Sequence, residues 1–346
     1  MIFAVVSLTA SVASAQEKDD EPPVDSREIT SLDFQAKRKP LKGGIDGTTA
    51  AGAAAANRAN NNGGKPPPPP ATKPKQNYKF VKRIPRRKKK SAAALGGIEN
   101  SKRPDSKKTT PKPEFKAEEV GVTFWRLRRK QKGEDDAPNF PVTINGVREN
   151  WTAERVNSET RFRPGDRVRF TVESSRAGFL YIVNREFYKD GTAGKPSLIY
   201  PTLRNRGGEN RVEAGDLIDI PSGASFFNVT TESGAGYAGE ELLIIISPTK
   251  INLPFELGLK ARELSPETVE KWLEDWEASV DVYDGQQGEG VAYTKEEADA
   301  TVTGDGQSRS LTQEEPVPQT LYRVWTTGKD QVLLIPVRMM AQKSPE

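Results

Sequence analysis

Between Arg163 and Ser247 the chain leaves no room for a helix. Short runs such as Arg167-Val168-Arg169-Phe170-Thr171-Val172-Glu173 and Gly178–Asn184 are separated by Gly-, Asp- and Pro-containing turns. These turns are Pro164-Gly165-Asp166, Asp190-Gly191, Arg206-Gly207-Gly208 and Ala214-Gly215-Asp216. Val168, Phe170 and Val172 alternate with polar neighbours, so one face is buried and the other wet. Phe179–Val183 and Leu242–Ile246 are apolar without alternation, as strands covered on both faces are. Turns at a spacing of about ten residues between such runs predict a mainly β fold. The expected architecture is an antiparallel β-sandwich, immunoglobulin-like or barrel-like.

The flanks extend that domain to residues 118–342. Val120, Val122 and Phe124 alternate with Gly121, Thr123 and Trp125. Asn145-Gly146 is a hairpin turn dipeptide, reached after a polar loop over Lys130–Asn139. Ser265-Pro266-Glu267 supplies a helix N-cap, a proline at the first helical position and an acidic first turn. Val269, Trp272, Leu273 and Trp276 follow at helical spacing, so one inserted α-helix over 265–278 is expected to dock on the sheet. Asp281–Glu315 reads as a mobile polar loop. Leu321–Trp325 and Val332–Val337, joined through Thr327–Asp330, read as a closing hairpin.

The first third is different in kind. Met1–Ala15 is mostly apolar and ends in Ala13-Ser14-Ala15, a small-x-small cleavage pattern, although no Lys or Arg precedes the apolar run. It reads as a signal peptide and places the protein outside the cytoplasm, secreted or periplasmic. In Gln16–Ala117, only 13 of 102 residues are Val, Ile, Leu, Phe, Tyr, Trp or Met, too few to offset the entropy of ordering. Residues 16–117 are therefore expected to be a disordered linker, stiffened at Pro66–Pro70.

Charge is segregated along this tail. Gln16–Ala36 holds two basic and seven acidic residues, a balance of −5; Lys37–Lys116 holds 22 basic and four acidic, a balance of +18. The densest basic patch is Lys82, Arg83, Arg86, Arg87, Lys88, Lys89 and Lys90, the candidate contact for an anionic envelope polymer or lipid. Set against this is a solvated linker whose charge keeps it extended, or which lies on the acidic body of its own chain. Only Tyr78 and Phe80 offer rings nearby, so stacking on single-stranded nucleic acid is disfavoured.

Composition narrows the chemistry. The chain has no His and no Cys, which removes histidine-based acid–base catalysis, thiol nucleophiles, disulfides and thiolate metal sites. Asp166, Asp190 and Asp216 each stand beside a glycine; they are either turn-formers or the carboxylates of a calcium site or hydrolase. Gly234–Gly239 fits G-x-G-x-x-G, but a strand follows it where nucleotide binding needs a helix. Tyr181, Tyr200, Tyr237 and Trp151 either stack on a sugar or fill the core.

Taken together, Pro164–Phe170, Gly178–Asn184, Leu198-Ile199-Tyr200-Pro201 and Asn210–Gly215 resemble a bacterial family, domain-of-unknown-function family 4384, over about Phe162–Ser247. The resemblance implies an extracytoplasmic β-rich module, and carries no catalytic residues with it. The expected function is a non-catalytic binding module of the cell envelope, with a protein or glycan partner, no cofactor, and a basic arm that tethers it to anionic polymers. The alternatives are a carboxylate-dependent hydrolase, or polyanion and nucleic-acid binding through the arm.

Overall fold

The computed structural model describes residues 29–30, 34–36, 38, 76–86, 115–229, 236–276, 278–300, 317–328 and 330–342. Its first strands are β1 (Ile29–Thr30), β2 (Asn77–Ile84), β3 (Lys116–Arg129), β4 (Phe140–Ile144), β5 (Val147–Val156) and β6 (Arg161–Phe162). The middle of the chain forms β7 (Arg167–Ser174), β8 (Gly178–Tyr188), β9 (Ser197–Tyr200), β10 (Arg211–Val212), β11 (Leu217–Ile220), β12 (Phe227–Asn228) and β13 (Tyr237–Ser247). The remainder is β14 (Arg262–Glu263), helix α1 (Pro266–Trp276), β15 (Val280–Gly285), helix α2 (Lys295–Ala300), β16 (Thr320–Thr326) and β17 (Leu333–Ala341).

These strands form two sheets. One runs β1-β2-β15-β16-β3-β5-β4, with β7 pairing β3 and carrying β11 and β12. The other runs β14-β9-β8-β13-β17-β6, with β10 on β8. Apart from the short parallel β17–β6 pair, the pairings are antiparallel. The sheets do not close into a barrel.

Alternation decides what each face meets. Val120, Val122 and Phe124 of β3, with Val168, Phe170 and Val172 of β7, point into one core. Across from them stand Leu180 and Ile182 of β8, Leu242, Ile244 and Ile246 of β13, and Ile335 and Val337 of β17. Burial of this inter-sheet layer is the main stabilising term, at about 25 cal/mol per Å² of apolar surface. The other face of the second sheet is also apolar: Tyr181, Val183, Leu243, Ile245 and Leu334 pack under Val269, Trp272 and Leu273 of α1. That is why β8 and β13 lack a polar stripe. The helix begins as expected, with Ser265 Oγ accepting the Thr268 N–H at 3.2 Å, and Trp276 stacks on Trp272 at 5.4 Å.

The outer face of the first sheet is charged instead. Arg83, Asp281, Arg323 and Glu119 stand directly opposite one another on β2, β15, β16 and β3, a row of alternating sign. Arg83 meets Asp281 at 2.5 Å, and Arg323 meets Glu119 at 2.8 Å. Each buried charge in such a row is tolerable only because its neighbours are opposite. Beside it, Arg38 grips both oxygens of buried Glu173 at 2.6 and 2.7 Å. Phe34 joins Tyr78, Tyr283, Val317 and Leu321 in a small cluster over this face. Gly121 makes room for it: a Cβ there would meet Pro318 Cγ at 2.3 Å and Phe34 at 3.3 Å.

Several expectations are borne out and several corrected. The Asn145-Gly146 turn joins β4 to β5, and its two residues have positive φ, 50° and 79°. The reading of 16–117 as an unfolded linker is corrected at Phe34, Arg38 and β2, which pair or pack with the body. Tyr78, Phe80, Val81 and Ile84 form a strand-sized apolar set, hidden when composition is averaged over a hundred residues. The loop reading of 281–315 is corrected at β15, where Val280 and Val282 enter the main core, and at α2. The C-terminal pair is not a hairpin: β16 belongs to the first sheet and β17 to the second. Leu333–Val337 is apolar on both sides, which suits the sheet that α1 covers.

Candidate functional site

The expected basic patch divides. Lys82 lies exposed on β2, Arg83 half-buried beside it, and Arg86 exposed just beyond the strand. Arg87, Lys88, Lys89 and Lys90 lie outside the described residues. Arg83 is committed to the sheet, its Nε on Asp281 Oδ1 at 2.5 Å and its Nη2 on Oδ2 at 2.8 Å. Lys79, two positions into the strand, is a further exposed cation. Among the described residues Lys79, Lys82 and Arg86 have no ion-pair partner, so their charge is available to solvent.

β2 borders a cleft of about 340 Å³ between the two sheets. Lys82, Arg83, Ile84 and Pro85 form one wall, Tyr322 contributes from β16 and Ser158 from the turn after β5, and Glu241, Pro336 and Arg338 form the other wall. Burial pushes the Tyr322 phenol well above its ordinary pKa, with the Asp284 carboxylate adding to it, so it stays neutral. The cleft's carboxylate is neutralised: Glu241 Oε2 accepts Arg185 Nη2 at 2.6 Å and Oε1 accepts Arg338 Nε at 2.9 Å. Burial raises the Glu241 pKa, but Arg185 and then Arg338 outweigh it and leave the carboxyl below its ordinary value. The mouth thus carries the unpaired Lys82 beside the paired Arg338, and Ile84, Pro85, Tyr322 and Pro336 supply the less polar part of the lining.

A second concentration of polar groups lies on the outer face of the first sheet. Tyr293 donates its phenol to Asp219 Oδ2 at 3.0 Å, and Arg169 pairs with the same carboxylate. The ring meets Trp125 edge-on at 4.7 Å and Phe140 at 6.2 Å. Next to it Arg155 pairs with Glu297, which closes a capping box with Thr294 at the start of α2 (3.1 and 3.2 Å). This pocket is already filled by the chain's own tyrosine.

The other candidates are accounted for locally. Asp166 accepts the Arg163 N–H at 2.8 Å, Asp190 that of Thr192 at 2.9 Å, and Asp216 that of Glu213 at 2.8 Å, so each carboxylate closes its own turn. Among the described residues no three acidic side chains converge in a way that would hold a metal. Tyr181 and Tyr200 are core residues. Trp151 is half-buried under the Arg167 guanidinium at 4.9 Å, and Tyr237 is hydrogen-bonded to Glu240 at 2.9 Å. Gly236 leads straight into β13, so the glycine-rich stretch feeds a strand and not a helix. Sequence reasoning missed Lys79 and Arg338; both sit in apolar strands, Lys79 between Tyr78 and Phe80 and Arg338 between Val337 and Met339, the one signal that marks them as rim charges.

Residues 161–250 match a family described as a domain of unknown function (DUF4384), which bears out the resemblance seen over Phe162–Ser247. No curated protein and no solved structure matches the chain. The matched stretch supplies β6 to β13, strands of both sheets. Their inner faces are completed by β3, β15, β16 and β17 from outside it. The cationic rim likewise lies on flanking segments.

Proposed function

We propose that this protein is a non-catalytic interaction module exported to the cell envelope, which uses the β2 rim to hold an anionic polymer. Export is supported by the apolar run and Ala13-Ser14-Ala15 at the N-terminus. The observation that carries the binding reading is the division of labour among neighbouring cations. Arg83, Arg185 and Arg338 are matched to Asp281 and Glu241, whereas Lys79, Lys82 and Arg86 project along one edge with no acidic partner among the described residues. Exposed cations without acidic partners, fixed in place by a sheet strand and its end, can meet an extended polyanion without first giving up an ion pair. The cleft beside them, lined by both charged and apolar side chains, offers room to whatever side groups that polymer bears.

Replacing the three by glutamine in the full chain tests this. At about 1 kcal/mol per cation near an anionic surface, K79Q/K82Q/R86Q is expected to weaken retention on immobilised dextran sulfate at low salt by roughly a hundredfold. Thermal stability should be unchanged, because none of the three is paired. Retention equal to that of the parent protein would remove the proposal.

A further inference from the structure

Ile251, Leu253, Phe255 and Leu257 alternate with Asn252, Pro254 and Glu256 along the loop between β13 and β14, and the four apolar side chains pack on the cluster under α1. Leu259 continues the alternation but stands outside that cluster, 60% exposed. A second loop, between β9 and β10, comes up beside it. Leu203 donates its N–H to the Gly258 carbonyl at 2.8 Å, and its side chain is 43% exposed. Gly208 lies between the two loops. A Cβ there would meet Leu257 Cδ1 at 2.9 Å and Leu203 Cδ2 at 3.4 Å, so these two leucines are neighbours. Exposed leucines scattered singly are ordinary; a set gathered on two tied loop tips is not.

Charge on these tips runs against that of the body. Residues 118–346 hold 28 basic and 37 acidic side chains, yet the two loops carry Arg204, Arg206, Lys250 and Lys260 against Glu209 and Glu256. Arg204 and Lys260 directly follow the exposed leucines, are exposed themselves, and have no ion-pair partner among the described residues. Arg262, at the start of β14, lies over the Phe255 ring at 5.2 Å. Leucines at loop tips with cations beside them suit the boundary of an anionic bilayer, where apolar side chains enter the acyl region and each Lys or Arg gains from the surface potential. A stable protein interface takes about 800 Å² from each side, a demand that bilayer entry by a few side chains does not make.

We propose that Leu203 and Leu259, with Arg204 and Lys260 beside them, form a docking surface for an anionic phospholipid bilayer. This surface belongs to the β9–β14 edge of the second sheet, and the inference does not depend on the reading of the β2 rim.

The chain has no cysteine, so Ala261→Cys, at an exposed position beside Lys260, takes one environment-sensitive fluorophore in the full chain. The probe is a vesicle of phosphatidylglycerol and phosphatidylcholine, with pure phosphatidylcholine as the neutral comparison. The anionic vesicles should shift the label to the blue, and the neutral ones should not. In the labelled chain, L203S/L259S should raise the lipid concentration at half-shift at least tenfold. R204Q/K260Q, which changes only exposed and unpaired side chains, should raise it roughly thirtyfold at low salt. Adsorption through the basic first third alone would sediment the protein with the vesicles while leaving the label in water, and that result would overturn the inference. So would half-shift concentrations equal in parent and variants, or an equal shift on neutral vesicles. No shift on any vesicle would also overturn it and leave the patch to a protein partner.

Discussion

Arg83 and Asp281 are joined by two parallel hydrogen bonds of 2.5 and 2.8 Å across the β2–β15 edge. The guanidinium comes from the basic first third of the chain, and the carboxylate from a stretch whose composition reads as loop. Asp281 is nearly inaccessible and also accepts the Trp325 indole N–H at 2.9 Å. Together they fasten an N-terminal strand to the C-terminal half of the domain.

Removing the guanidinium should therefore cost more than a surface charge would. Arg83→Met keeps the apolar stem but leaves Asp281 buried with Arg323 alone opposite it. A loss of about 3 kcal/mol is expected in urea unfolding, since breaking a buried pair strands the remaining charge. Lys82→Met, one residue earlier and exposed, should stay within about 0.5 kcal/mol of the parent protein.

Glu241 gives a pH signature. Its folded pKa lies below the ordinary value because Arg185 and Arg338 outweigh the effect of burial. Its contribution is therefore complete above the unfolded-state pKa and is lost as pH falls through the folded one. Glu241→Gln should cost roughly 1–3 kcal/mol at neutral pH, because Arg185 and Arg338 lose their shared carboxylate while Arg185 keeps Glu270 at 2.7 Å. Below the ordinary carboxylate range the gap between parent and variant should narrow, which melting curves across pH would show. A gap that widened in acid would contradict the pairing.

Tyr293 acts as a peg. Tyr293→Phe removes one hydrogen bond to a carboxylate and should cost about 1–3 kcal/mol. Tyr293→Ala also opens a cavity against Trp125 and Phe140, and should cost about 3–5 kcal/mol. Equal losses in the two variants would show that the ring does no packing.

Much of this was legible in the chain itself. Alternation at Val168, Phe170 and Val172 announced a one-sided strand, and unbroken runs at Phe179–Val183 and Leu242–Ile246 announced strands covered twice. The cap at Ser265 and the spacing of Val269, Trp272 and Leu273 located the covering helix. What stayed hidden was long-range and electrostatic. Asp281, Glu119 and Glu173 look like surface residues until Arg83, Arg323 and Arg38 are placed opposite them from 198, 204 and 135 positions away. No local pattern encodes that. For the same reason β2, with its lysines, reads as linker, and β16 and β17, which lie in separate sheets, read as a hairpin. The rim itself was half visible: charge density pointed to Lys82 and Arg86, whereas the spending of Arg83 on Asp281 is a property of the sheet alone.

The cationic rim exists only if residues 77–84 are an integral strand of the sandwich, paired with β15. Amide hydrogen exchange on the full chain measures this directly. The amides of β2 that face β15 should be protected to within about tenfold of those in β15 itself, and Arg83→Met should release them before the rest of the sheet. Exchange over Asn77–Ile84 at the rate of an unstructured peptide, with β15 still protected, would contradict it.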